Sequence, residues 1–76
     1  MLINEEIRRI KKELLQDNKN MDYYNLYLKY LHKMKREYRI SNNKFVLDEK
    51  IKKEIEMINS RATIEDKINT IRILLN

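Results

Sequence analysis

Few residues in this chain of 76 could do chemistry. Nucleophilic catalysis needs an activated Ser, Cys, Thr or Lys beside a base that a third group orients. The chain has no Cys, and its two serines, Ser41 and Ser60, fall in loops or at helix ends, where capping explains them. Its one histidine, His32, falls on the polar side of a predicted helix. A single histidine could form a zinc site only with several carboxylates.

Paired carboxylates are the other candidates for chemistry, and Glu54 with Glu56 or Glu49 with Glu65 are the pairs to consider. Such a pair does acid–base work when an apolar cleft separates the two pKa values. Each of these residues has Lys nearby and falls among other charges on a solvated face. The chain also lacks a calcium-binding loop and a phosphate-binding loop. We therefore expect no enzyme activity, no cofactor and no metal site.

The basic residues form the one asymmetric feature of the sequence. Residues 20–44 carry six basic and two acidic side chains, which is +4 of the net charge of +5. On a helical wheel these cations form a row made of Lys29, Lys33 and Arg36, with His32 alongside and Arg39 at the edge. Such a row could contact a phosphate backbone or an acidic protein surface. It could equally be surface filler, with cations favoured near the helix C-terminus.

The chain contains no Gly and no Pro, and this absence predicts the secondary structure that positions these residues. Average usage would give about five Gly and about four Pro in a chain of this length. Because tight turns and kinks draw on both residues, a chain without them is expected to be almost all helix. Hydrophobic residues make up 42% of the chain, which argues against disorder.

Apolar residues recur at a helical spacing of 4, 3, 4 in three segments, and each set covers a narrow stripe of a helix. The stripes are Ile3, Ile7, Ile10 and Leu14; Ile51, Ile55, Ile58 and Ala62; and Ile64, Ile68, Ile71 and Leu75. Together with the segment between them, they predict one all-α domain over 1–76. It is a small bundle of four helices near 4–16, 21–39, 48–60 and 63–75.

Capping residues set the predicted boundaries. Asn4 and Asp48 are expected to cap the first and third helices, and Thr63 with Asp66 resembles a capping box for the fourth. In the first loop, 17–20, an Asn in the left-handed conformation is expected to end the first helix in place of Gly. Residues 45–47 are expected to form an apolar plug before the third helix. If the last two helices are continuous, the bundle has three helices.

The second helix carries an unusually broad apolar face and is expected to be the central one. Its tyrosine hydroxyls should reach water or a backbone carbonyl at the edges of that face. The face is made of Tyr23, Tyr24, Tyr27, Leu28, Leu31, Met34 and Tyr38.

Several apolar residues fall outside these faces and predict an interface. They are Leu15, Leu26, Met57 and Ile73, with Leu74 beside them. A chain this small has a barely adequate core, so spare apolar residues favour a partner or a homodimer. The fourth helix is the best candidate, because Ile73 lies opposite the stripe that ends at Leu75.

These observations favour a small non-catalytic protein-binding regulator, adaptor or inhibitor that docks a helical face on a larger protein, one with an acidic surface where the basic row takes part. The alternative is a nucleic-acid-binding accessory protein that uses the basic row. No membrane span or signal peptide is evident in the sequence, so a cytoplasmic location is expected. Richness in Ile, Lys, Asn and Tyr is typical of AT-rich coding sequences, and a phage- or mobile-element-encoded inhibitor would fit this composition.

Overall fold

The chain folds as an all-α bundle, as predicted. A computed structural model describes residues 2–17 and 19–76, of which 86% are helical and none is in a strand. Within these ranges the helices are α1 (Leu2–Gln16), α2 (Met21–Ile40), α3 (Lys44–Ser60) and α4 (Ile64–Leu75). The last two are therefore separate helices, joined by a short turn at 61–63.

Helix α2 is the centre of the bundle. It packs against α1, α3 and α4, and α3 also packs against α4. The isoleucine stripes face this centre, with Ile3, Ile10, Ile51, Ile58 and Ile71 fully buried. Ala62, predicted to continue the stripe of the third helix, is instead exposed because the chain has already left the helix there.

Two predicted helix starts are wrong. Helix α1 begins at Leu2, before Asn4, which lies inside its first turn. Helix α3 begins at Lys44, because Asn43 caps it by accepting a hydrogen bond on Oδ1 from the Val46 backbone N–H (3.2 Å). Asp48 therefore lies one turn inside the helix. Nothing between 44 and 47 breaks a helix, so the earlier of two competent caps sets the start.

The early start of α3 also overturns the predicted apolar plug. Phe45 and Val46 lie in the first turn of α3 with most of their surface exposed, and only Leu47 packs against the core. At the start of α4 the predicted N-cap is confirmed. Thr63 caps α4, with its hydroxyl oxygen accepting from the Asp66 backbone N–H at 3.1 Å.

Helix C-termini are closed without any left-handed residue among the described parts of the chain. An Asn of the loop 17–20 was expected to end α1 in the left-handed conformation. One of the two candidates, Asn18, lies outside the described residues. Lysine ammonium groups serve the other helix ends, where the last carbonyls have no intrahelical partner. Lys44 Nζ donates to the carbonyl of Tyr38 (2.7 Å), Lys67 Nζ to that of Asn59 (3.0 Å), and Lys33 Nζ to that of Leu75 (3.2 Å).

Among the helices of 2–17 and 19–76, none combines the length and the apolar character that a membrane span requires.

Candidate functional site

The inner face of α2 is a row of buried tyrosines whose hydroxyls bind carboxylates. Tyr27 Oη donates to Glu6 Oε2 on α1 (3.1 Å) and accepts from Asn59 Nδ2 at the end of α3 (3.3 Å). Tyr30 Oη donates to Glu54 Oε1 on α3 at 2.6 Å. These two hydroxyls bind carboxylates from other helices, whereas the sequence analysis expected water or a backbone carbonyl for hydroxyls at the edges of the face.

Tyr30 itself was missed by the predicted apolar face, although it is fully buried. Its position three residues after Tyr27 and seven after Tyr23 is the signal that could have found it. The Tyr27 and Tyr30 rings meet edge to face at 6.3 Å, which extends the aromatic row along the helix.

The tyrosine hydroxyls of this face are protonated donors, and the Glu6 carboxyl is an ionised acceptor. Burial raises the pKa of Tyr23 to about 12 and also raises the pKa values of Tyr27 and Tyr30, so all three phenols stay protonated at neutral pH. A hydrogen bond from Arg9 lowers the pKa of Glu6, which is therefore a carboxylate acceptor. Tyr27 and Tyr30 act as donors that tie α1 and α3 to α2.

The proposed acid–base pairs do not gain an apolar cleft. Glu54 is half-buried and binds Tyr30, while Glu49, Glu56 and Glu65 are exposed. In the part of the chain that the structure describes, no three His, Asp or Glu side chains gather as a metal site requires.

The outer face of α2 carries the predicted basic row. Lys29, His32, Arg36 and Arg39 are exposed, whereas Lys33 is half-buried and donates to the end of α4. Lys33, Arg36 and Arg39 line one depression together with Ile40, beyond the C-terminal end of α4. The structure thus brings three of the five predicted residues together, and Lys29 lies farther along the same helix.

Helix α4 adds a cation that sequence reasoning did not assign to this surface. Arg72 lines two further depressions with Lys29 and Leu26, and their apolar walls are completed by Ile68 and Leu75 of α4. Only the packing of α4 along α2 places Arg72 beside Lys29. No local pattern in the sequence carries that information.

These three adjoining depressions form a shallow channel, here called the basic groove. It follows α2 from Asp22 to Ile40, roughly 27 Å of helix. Neighbouring depressions share Lys29 or Lys33. Its charged side chains are the cations Lys29, Lys33, Arg36, Arg39 and Arg72 and the acids Asp22 and Glu37.

Most cations of the basic groove have no partner within the chain. Among residues 2–17 and 19–76, Lys29, Arg36, Arg39 and Arg72 form no ion pair and donate no side-chain hydrogen bond. By contrast, Arg9 on α1 pairs with Glu6 at 2.8 Å and Glu13 at 3.1 Å. The groove is a surface of unneutralised positive charge over half-buried apolar side chains.

The predicted interface residues divide into two groups. Leu15 and Ile73 are largely exposed, at 85% and 73%, and Met57 is exposed to a smaller degree. Leu26 and Leu74 are half-buried and pack against the core.

Four exposed apolar residues were not predicted as interface, and three of them flank the α2–α3 connection. They are Met21, Ile40, Phe45 and Val46. The misplaced start of α3 hid the last two.

Comparison of the chain with known protein families, curated proteins and solved structures found no match.

Proposed function

We propose that this chain is a non-catalytic protein-binding module, a small regulator, adaptor or inhibitor that docks helical faces on a larger protein. The observation that carries the proposal is the number of large apolar side chains on its surface. Ile40, Phe45, Leu15 and Ile73 are each more than two thirds exposed.

Such exposure is costly for a small domain and useful for a binding protein. Burying one large apolar side chain contributes about 1.5–3 kcal/mol, so a partner that covers two or three of them gains appreciable affinity. Single exposed apolar residues are common, so the strongest support comes from those that lie together, as Ile40, Phe45 and Val46 do at the α2–α3 connection. The inner polar groups contrast with this set, because they are fully satisfied by partners in the fold.

Self-association is the simplest form of this function. Ile73 lies away from the face of α4 that buries Ile71, so the bundle itself cannot cover it. We expect Ile73→Lys to lower the melting temperature and to yield monomer if a homodimer buries α4. Sedimentation at high micromolar concentration measures this. If the wild type is monomeric and the variant is equally stable, no homodimer buries Ile73, and this residue remains available to a different partner.

The test of the proposal is affinity purification of the tagged chain from its source cells at moderate salt. The expected result is a protein recovered in stoichiometric amount by the wild type and lost with Phe45→Asp/Ile40→Asp or with Leu15→Asp/Ile73→Asp. A matched control is Lys52→Glu/Lys53→Glu on the exposed side of α3. Recovery of no stoichiometric partner, together with no self-association, would refute the proposal.

A second candidate function is nucleic-acid binding, favoured by the four unpartnered cations of the basic groove. Three or four phosphate contacts predict weak binding to duplex DNA with a log–log salt slope on the order of −3. Arg36→Glu/Arg39→Glu should abolish it. These two residues are preferable to Lys33, because Lys33 also holds the end of α4.

A further inference from the structure

From the basic groove we infer that the partner presents an acidic amphipathic helix of about 18 residues, which lies along α2 beside and beyond α4. This inference rests on the proposed function and names the chemistry of its partner. Three properties of the groove support it: its charge, its apolar walls and its length.

Charge complementarity selects an acidic occupant. Five cations and two acids line the groove, and four of the cations have no partner among the described residues. Carboxylates that approach Arg36, Arg39 and Arg72 would form charge-assisted hydrogen bonds without displacing an existing pair. A second copy of the chain is disfavoured here, because it would bring the same positive face and a net charge of +5.

The apolar walls favour a protein helix over a phosphate backbone. Leu26, Ile68 and Leu75 form half-buried apolar surface between α2 and α4, and Ile40 continues it with 83% of its surface exposed. A sugar-phosphate chain gains little from such surface. The apolar stripe of an amphipathic helix buries it, with acidic residues on both sides of the stripe reaching the cations.

The length of the groove matches one helix. Helix α4 is shorter than α2, since it ends beside Lys33 and leaves the last two turns of α2 without a neighbour on this side. The groove follows α2 for roughly 27 Å, and 18 residues of helix span the same distance. A guest helix would pack on α2 where α4 stops.

The experiment uses defined peptides and the full chain. The probe is a fluorescent helical peptide of about 18 residues, with Leu every third or fourth position and Glu on both flanks. One comparison peptide has the same composition scrambled so that Leu no longer forms a stripe, and a short duplex DNA is the third probe. Fluorescence anisotropy at ~0.15 M salt measures each dissociation constant.

The expected result is binding of the amphipathic peptide with a dissociation constant below about 100 μM, at least tenfold tighter than for the scrambled peptide. Arg36→Glu/Arg39→Glu and, independently from α4, Arg72→Glu should each weaken it at least tenfold. Lys52→Glu/Lys53→Glu should change it less than about twofold, since it alters the same charge at a distant face. Circular dichroism confirms that each variant is folded.

The inference is overturned if the peptide binds more weakly than about 100 μM, if the scrambled peptide binds equally well, or if DNA binds more tightly than the peptide. Its failure can be separated from failure of the proposed function. A stoichiometric protein partner retained by the Arg36→Glu/Arg39→Glu variant would overturn the groove as its docking site and leave the binding module standing.

Discussion

The two faces of α2 differ in whether their polar groups have partners within the fold. On the inner face the hydroxyls of Tyr27 and Tyr30 are buried, and each meets a carboxylate from another helix. On the outer face, Arg36 and Arg39 are exposed and have no partner among the described residues. Both faces belong to one continuous helix, so propensity does not distinguish them.

The difference shows how to separate polar residues that build the fold from those free to bind. A buried polar group without a partner costs about 1–3 kcal/mol, so the inner face tolerates none. An exposed cation costs almost nothing to leave alone. Lys33 lies between these cases, because it belongs to the basic row but donates to Leu75. The following predictions test this division.

The largest expected effect is alkaline unfolding through the inner face. The usual phenol pKa is 10, and in the fold that of Tyr23 is raised to about 12, with Tyr27 and Tyr30 raised as well. Above pH 10 the unfolded chain therefore loses protons that the folded chain keeps. The free energy of unfolding should fall by up to about 1.4 kcal/mol per pH unit for each such tyrosine.

Summed over the three tyrosines, this loss is comparable with the stability of so small a domain, so we expect unfolding in the alkaline range above pH 10. Far-ultraviolet circular dichroism and tyrosinate absorbance should change together. If all five tyrosines ionise with the usual pKa while the helix signal is intact, the hydroxyls of Tyr23, Tyr27 and Tyr30 are not held protonated by burial.

The next effect compares a large truncation on each face. Tyr27→Ala removes a fully buried ring and should cost about 3–5 kcal/mol, as for other buried aromatic residues. Arg36→Ala on the outer face should change the free energy of unfolding by less than about 0.5 kcal/mol. Urea denaturation measures both. Equal losses would mean that the outer face also supports the fold.

A smaller effect isolates one hydroxyl. Tyr30→Phe keeps the ring but leaves the half-buried Glu54 carboxylate without its donor, and should cost about 1–3 kcal/mol. Tyr38→Phe is the matched control, since its ring keeps the Lys44 ammonium 5.0 Å from its centroid and no hydrogen bond of its hydroxyl is lost. Thermal unfolding should separate the two variants. Identical melting temperatures would mean that the Tyr30–Glu54 hydrogen bond does not stabilise the fold.

The smallest effect divides the basic row itself. Lys33→Met deletes the donor to the end of α4 and should cost about 0.5–1.5 kcal/mol, whereas Lys29→Met on the same face should stay within about 0.5 kcal/mol. Hydrogen exchange at the last turn of α4 should rise only in the Lys33 variant. Equal behaviour would place Lys33 with the free cations.

Sequence reasoning reached the fold because the spacing of apolar residues indicates which side of each helix is buried: isoleucines in α1, α3 and α4, and tyrosines with Leu31 and Met34 in α2. It missed the start of α3, because Asn43 and Asp48 are both competent caps and local preference does not choose between them. It missed the hydroxyl partners for a different reason. Tyr30 and Glu54 are 24 residues apart, and only the packing of α3 on α2 joins them.

The part of the candidate site on α2 could be predicted from the sequence, and the part that depends on α4 could not. A helical wheel placed Lys29, Lys33 and Arg36 on one face, with Arg39 at its edge, since their spacing is local. It could not show that Lys33 is engaged by a residue 42 positions away, nor that Arg72 lies across the same groove. Both facts depend on where α4 packs.

The lysines at the helix ends have a consequence for folding. Lys33 on α2 closes α4, Lys67 on α4 closes α3, and Lys44 on α3 closes α2. The three helices therefore form a ring in which each lends its neighbour a further donor, in addition to the backbone N–H that the C-cap residue supplies. The loss of one helix removes that donor from another and leaves its carbonyl to water. These three helices should therefore melt as one cooperative unit, which α1 joins through its packing on α2 and through the Tyr27–Glu6 hydrogen bond.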